Sequence, residues 1–289
     1  MRVLDADATR TALPMRDCIE AMEHAFSGES EAPLRSLVGA SLVMPGRLDD
    51  LMAVKVVSTV PGNPAGLVVV FGDDGSPLGV ADGPTITAIR TGAVAGLATR
   101  LLAREDSRTL AMLGAGAMAF DQIEAVRAVR DVEEVLIWSR SLENAEKLAE
   151  RVGGQAVGDP DEAVRRADIV SCATPATTPL FSAESVRPGT HVNAVGAFTP
   201  EMAEIGPDVL KRAYVVVDDI DASAAEAGDL IRAGRHPDTT LRELLSGTHP
   251  EVARDVTVFK SVGVAAQDVA AAGRALANAE RDGIGLSVN

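Results

Sequence analysis

The stretch Thr109–Ala119, TLAMLGAGAMA, constrains this chain more than any other segment. A short apolar run stops at Gly114-Ala115-Gly116 and a helical pattern takes over, which predicts a strand, a tight turn and a helix. Glycines let the backbone turn sharply and approach a ligand, and the free N–H groups at the start of the following helix suit a pyrophosphate. Ala119 fills the third position of the G-x-G-x-x-G/A fingerprint and is small enough for close helix–strand packing. A plain glycine turn is the rival reading of so short a motif. A second strand-like run, Val135–Trp138, follows at the spacing of a βαβ unit and favours the dinucleotide reading.

The same rhythm continues downstream. Apolar, β-rich runs at 109–113, 135–138, 168–174, 190–195, 214–218 and 256–259 alternate with amphipathic segments rich in Ala, Glu and Arg. Strands alternating with helices imply an α/β fold with a doubly wound parallel sheet. Ser141 is a cap candidate for a helix running to Val152, with Leu142, Ala145, Leu148, Ala149 and Val152 at helical spacing. The first hundred residues differ: Met52–Ser58, Leu67–Phe71 and Pro77–Ala81 predict strands of an antiparallel meander, the last two joined by the turn sequence at 72–76. Further helices are predicted over Met15–Phe26, from about Thr87 to Ala103, and from Gly263 to about Arg281. The pattern changes near Ser107, which sets the expected domain boundary.

With 289 residues, 46% of them hydrophobic, the chain can bury one large or two modest cores. Its formal net charge of −15 argues against a nucleic-acid or anionic-membrane surface, since both call for clustered Lys and Arg. No apolar run approaches the roughly 20 residues of a bilayer span. Met1-Arg2 leads into Asp5 and Asp7 rather than an apolar leader, so a cytoplasmic location is expected. Cys18 and Cys172 fit no disulfide or metal spacing, and His24, His191, His236 and His249 form no paired ligand motif; no metal is expected.

Three basic residues of the first domain stand out. Arg35 follows Pro33-Leu34, Lys55 lies inside Ala53-Val54-Lys55-Val56-Val57, and Arg90 lies in Thr87-Ala88-Ile89-Arg90-Thr91-Gly92. A lysine flanked by apolar β-formers either snorkels at a sheet edge or serves a purpose. The pattern puts Arg90 and Thr91 in the first turn of the long helix, where the dipole disfavours an arginine unless an anion binds there; a solvated surface arginine is the alternative. After the second strand comes Trp138-Ser139-Arg140-Ser141, with no acidic residue to hold an adenosine ribose 2′-OH. Small hydroxyls beside an arginine suit a 2′-phosphate, hence NADPH over NADH, unless Arg140 is an exposed loop cation.

Five motifs in order, Lys55-Val56-Val57-Ser58-Thr59 with Pro61-Gly62-Asn63, Thr87-Ala88-Ile89-Arg90-Thr91-Gly92-Ala93, Gly114-Ala115-Gly116, His191-Val192-Asn193-Ala194-Val195-Gly196 and Val258-Phe259-Lys260-Ser261-Val262-Gly263, resemble the ornithine cyclodeaminase and mu-crystallin family. The resemblance covers nearly the whole chain. It implies a Rossmann domain, 107–264, joined to a discontinuous α+β substrate-binding and dimerisation domain, 1–106 with 265–289. A homodimer is implied too, and the bare edges of a short meander agree with that. The implied substrate is a small 2-imino or 2-amino acid whose carboxylate is held by Arg35, Lys55 and Arg90 beside a nicotinamide cofactor, with Lys55 the catalytic residue. Arg90 and Thr91 are implied near the cofactor phosphates, Gly114, Gly116, Ala117 and Met118 as the cradle, and Ser139 and Arg140 at the ribose. Ala173, Val195, Gly196 and Ser261 complete the implied cofactor site.

Two positions depart from the family pattern. Phe198 stands where the cyclodeaminases and alanine dehydrogenases of the family carry an acid/base aspartate, and Met118 stands where many members have glutamine. A phenylalanine moves no proton, so the reading favours NAD(P)H-dependent reduction of a preformed C=N, as in 1-pyrroline-2-carboxylate. The alternatives are a cyclodeaminase or amino-acid dehydrogenase, and a non-catalytic binding protein. Phe198 and Met44 are read as an apolar pocket wall or as core, and Asp218, Asp219 and Asp221 as a contact for a substrate amine or a solvated strand end.

Overall fold

The computed structural model describes residues 1–60, 65–248 and 256–288; Pro61-Gly62-Asn63 of the first motif, and His249, lie outside them. The chain forms two compact units, Met1–Val94 with Val264–Asn289, and Ala95–Gly263. The division falls inside the helix Gly83–Leu102 rather than near Ser107. The change of pattern at Ser107 marks only where that helix has ended.

The first unit contains β1 (Arg2–Leu4), β2 (Ser30–Glu31), β3 (Ser36–Val38), β4 (Ser41–Leu48), β5 (Leu51–Ser58), β6 (Gly66–Gly72), β7 (Pro77–Asp82) and a last strand, Leu286–Ser287. Their order is Leu286–Ser287, β1, β7, β6, β5, β4, β2, with β3 also on β4. The meander β4–β7 is antiparallel, and only β1 joins β7 in parallel. Alternation puts Met44, Ala53, Lys55, Val68, Val70 and Ala81 on a buried face against the helix Ala265–Asp282. Met52, Val56, Leu67 and Leu78 point the other way and are exposed.

The pattern misses β4, because Pro45-Gly46 reads as a turn. Pro45 stands past the β3 pairing and short of the β2 pairing, where one side of β4 has no ladder to break. Gly46 is required by packing: a Cβ there would sit 2.8 Å from the Ala265 Cβ. The long helix also starts at Gly83 instead of Thr87. Asp82 Oδ1 accepts the Thr85 N–H at 2.8 Å, and Pro84 suits a first helical turn. Arg90 and Thr91 therefore lie about two turns inside the helix, which removes the helix-dipole reading of Arg90.

The second unit is a parallel sheet of β8 (Thr109–Leu113), β9 (Glu134–Trp138), β10 (Gln155–Ala156), β11 (Ile169–Cys172), β12 (Thr190–Ala194), β13 (Ala213–Val217), β14 (Thr239–Thr240) and β15 (Val256–Lys260). The order is β10-β9-β8-β11-β12-β15-β13-β14. One core joins Leu110, Met112, Val135, Ile137 and Ile169 of the sheet to Ile123 and Val126 of the helix Ala119–Val129 and to Leu148 and Val152 of Leu142–Val152. Ala111 and Leu113, facing the other way, are equally buried, as a doubly covered sheet requires. Ser141 caps Leu142–Val152 as predicted, its hydroxyl accepting the Asn144 N–H at 3.3 Å. The chain runs outward from β8 to β10 and then crosses back to β11, so the switch point lies between β8 and β11.

Candidate active site

Lys55 is not at a sheet edge. It sits on β5 between Met44 of β4 and Val68 of β6, on the buried face, and is 2% exposed. Its Nζ lies 2.7 Å from Asp268 Oδ2. Arg90 Nε donates to the other oxygen of Asp268 at 3.1 Å, and Arg90 Nη1 donates to Gln267 Oε1 at 2.8 Å. The amide Nε2 of Gln267 is buried without a hydrogen-bond partner among the described residues. Burial, then the charges of Arg90 and Arg35, push the Lys55 ammonium down to about 8 against the pull of Asp268. Arg35, half-buried in the loop before β3, is thus in electrostatic reach of Lys55. Lys55 and Arg90 share the single carboxylate of Asp268, which leaves one positive charge over.

The second unit holds a cleft of about 450 Å³ at the switch point, lined among others by Gly114, Gly116, Ser139, Arg140, Ala173 and Thr174. Gly114 has φ +116°, and a Cβ on it would stand 2.7 Å from the Ala173 carbonyl oxygen, so only glycine fits. A Cβ on Gly116 would meet open space. That open wall, beside a serine, an arginine and the capped helix Leu142–Val152, fits a phosphate-bearing dinucleotide. Ala117 and Met118 form the turn before Ala119–Val129. Val195 and Gly196 follow β12 and hydrogen-bond to Cys172 and Glu204. The Ser261 hydroxyl is committed to Asp218 at 2.7 Å. Arg90 and Thr91, expected at the cofactor as well, belong to the first unit.

Asp218 is no solvated strand end. It is buried, and its Oδ2 accepts Ser261 Oγ and the N–H groups of Val262 and Gly263. Asp219 caps the helix Ile220–Glu226. Phe198 is 40% exposed in the loop after β12, and Met44 is buried directly across from Lys55.

Sequence reasoning misses a buried scaffold in the second unit. Glu204 accepts Thr174 N and Oγ1 with one oxygen and the Gly196 and Ala197 N–H groups with the other, tying together the loops after β11 and β12. Asp229 accepts the Glu204 and Ile205 N–H groups and pairs with Lys260 at 2.8 Å. Burial pushes the Glu204 carboxyl up against the pull of Lys260. Asp268 and Gln267 are missed as well. A signal exists for both lysines and for Asp268: each is a charge inside an apolar run. His191, fully buried, bonds to Thr257 and Asn193, and burial pushes it down to about 4, so this histidine is part of the core.

A sequence model of the ornithine cyclodeaminase/mu-crystallin family matches residues 3–282. The chain belongs to this family. The mouse ketimine reductase mu-crystallin is 37% identical over 234 residues, spanning 78% of this family member and 75% of the mouse protein. Among solved structures, Thermococcus litoralis Delta(1)-pyrroline-2-carboxylate reductase in complex with NADH and L-proline superposes with a TM-score of 0.93 at 32% identity, over 100% of both chains. An archaeal alanine dehydrogenase dimer with bound NAD gives 0.91 at 29% identity, over 100% of this chain and 99% of its own.

Proposed function

We propose that this protein is an NAD(P)H-dependent reductase of small cyclic or acyclic 2-imino acids, such as 1-pyrroline-2-carboxylate, with the amino acid as product. The observation that carries this reading is the surplus of positive charge at Lys55 and Arg90 over the one carboxylate of Asp268, which a substrate carboxylate neutralises. The named chemistry of the similar proteins, ketimine reduction and a complex with NADH and L-proline, supports it. Phe198 has no proton to move, which favours a preformed C=N over deamination of an amine.

Lys55, Arg90 and Arg35 bind and orient the carboxylate, so that the imine carbon is held in one pose. The Gly114–Gly116 turn, Ser139, Arg140 and Ala173 would hold a nicotinamide dinucleotide, which when bound would supply the hydride. The imine nitrogen takes one proton, and Lys55, an ammonium pushed down to about 8, is suited to give it near neutrality. Buried Met44 and Val68 beside Lys55 keep water away from that ammonium.

Cyclic imino acids, and amines mixed with 2-oxo acids, form the test panel, followed by NADPH absorbance. NADPH consumption without ammonia release is the expected result. Ammonia release from ornithine with no net nicotinamide turnover would overturn the reading in favour of a cyclodeaminase. Among the described residues no helix is long and apolar enough to cross a membrane. The proposal extends to a cytoplasmic homodimer, whose second copy would cover the apolar face at Met52, Val56, Leu67 and Leu78. A mass in sedimentation equilibrium that stays at the 29.9 kDa of one chain would contradict the dimer.

A further inference from the structure

We infer that Asp268 is the positioning residue of the carboxylate clamp: its two oxygens bridge Lys55 and Arg90, setting the spacing of the two cations and supplying the counter-charge that holds Lys55 as an ammonium. The inference rests on the imino-acid reading for its kinetic consequence only.

Asp268 lies in the first turn of the 18-residue helix Ala265–Asp282 and is 1% exposed. Its oxygens stand 2.7 Å from Lys55 Nζ and 3.1 Å from Arg90 Nε, so one rigid carboxylate spans two cations that come from different elements, β5 and the helix Gly83–Leu102. Gln267, on the adjoining position, accepts from Arg90 Nη1 and fixes the guanidinium plane. The charged groups facing Lys55 are Asp268, Arg90 and Arg35, and its strand neighbours Met44 and Val68 are apolar. Every influence on the Lys55 proton other than Asp268 therefore expels it: burial in an apolar setting and two like charges. With Asp268 present the ammonium survives to about 8. Without that carboxylate every remaining influence favours the neutral amine, which weakens both the anion site and the proton donor.

The chain has four lysines, Lys55, Lys147, Lys211 and Lys260, so carbon-13 labelling of the lysine ε-carbons gives four resonances to follow against pH. Lys55 is assigned by its disappearance in Lys55→Arg. The wild type should show a midpoint near 8 for Lys55. Asp268→Asn keeps the shape and removes the charge, and its Lys55 midpoint should fall by at least one unit, a tenfold loss of ammonium above the new midpoint. Asp268→Glu, longer but still charged, should keep the midpoint within half a unit. Where imino acids are turned over, the alkaline limb of kcat/KM in Asp268→Asn should move down by the same interval while the dissociation constant for NADPH stays within twofold.

An unchanged Lys55 midpoint in folded Asp268→Asn would overturn the proposal. In the wild type, the Asp268 carboxyl carbon, assigned by its absence in Asp268→Glu, should register a step at the Lys55 midpoint, and the lack of that step would overturn the proposal even where Asp268→Asn does not fold. Neither titration needs a substrate, so a protein inactive on every imino acid would refute the proposed function and leave the electrostatic role of Asp268 standing.

Discussion

Lys55 and Lys260 look alike in the sequence and in their burial, yet the charges around them balance differently. Each sits on a strand of a mixed or parallel sheet, each is buried, and each pairs with one aspartate, at 2.7 Å to Asp268 and 2.8 Å to Asp229. The difference lies in the third and fourth charges. Around Lys55 these are Arg90, which shares the single carboxylate of Asp268 and leaves one positive charge over, and Arg35 within electrostatic reach. Lys260 has Glu204 nearby and donates to the Ala197 carbonyl, so its cluster is closed, with more carboxylate than ammonium. Burial of a charge is costly in both places. On the proposed reading, the sign of the charge left over is what separates a binding site from a scaffold.

Matched truncations test that contrast, and the larger effect should be at the scaffold. Removing Lys260 leaves Asp229 and Glu204 buried without their cation, and breaking a buried pair in this way typically costs about 3–5 kcal/mol. For Lys260→Met this corresponds to a melting temperature lowered by roughly 10 °C, read by scanning calorimetry. Lys55→Met should leave the melting temperature almost unmoved, since Asp268 keeps Arg90 and two like charges are relieved. Its cost should appear in turnover of imino acids, with kcat/KM down about 10²-fold or more and NADPH affinity little changed. Equal loss of stability in the two variants would show that surplus charge does not distinguish the sites.

The two units also differ in how far their residues disclose them. The second unit is legible in the sequence almost strand for strand, because strands buried on both faces give unbroken apolar runs that helices punctuate regularly. In the first unit β4 is hidden by Pro45-Gly46: Pro45 is tolerated by the gap between the β2 and β3 pairings, and Gly46 answers to Ala265, far along the chain. The start of the long helix is hidden because Asp82-Gly83-Pro84 serves at once as strand end, cap and first turn. Lys55 is legible as an anomaly within one strand. Asp268 is an anomaly of the same kind within its helix, but their pairing is not legible, since nothing local ties residue 55 to residue 268. Asp218 escapes for the same reason: the groups that donate to it, at Ser261–Gly263, are distant in sequence.

A third cation completes the series and carries the smallest expected effect. Arg140 is exposed at the end of β9 and has no ion pair among the described residues, in contrast to both buried lysines. It lines the cleft with Ser139, just ahead of the helix that Ser141 caps, a place where a phosphate gains from the helix dipole as well as the guanidinium. A charge-assisted hydrogen bond to a 2′-phosphate contributes about 1.5–3 kcal/mol, so the wild type should bind NADPH roughly tenfold to hundredfold more tightly than NADH. Arg140→Ala should remove most of that preference by weakening NADPH alone, because the ribose of NADH offers Arg140 no charge to meet. Fluorescence titration of both cofactors against both proteins measures all four affinities. Equal wild-type affinities would show that an exposed, unpaired arginine at this turn is a solvated cation and that leftover charge predicts a ligand only where it is buried.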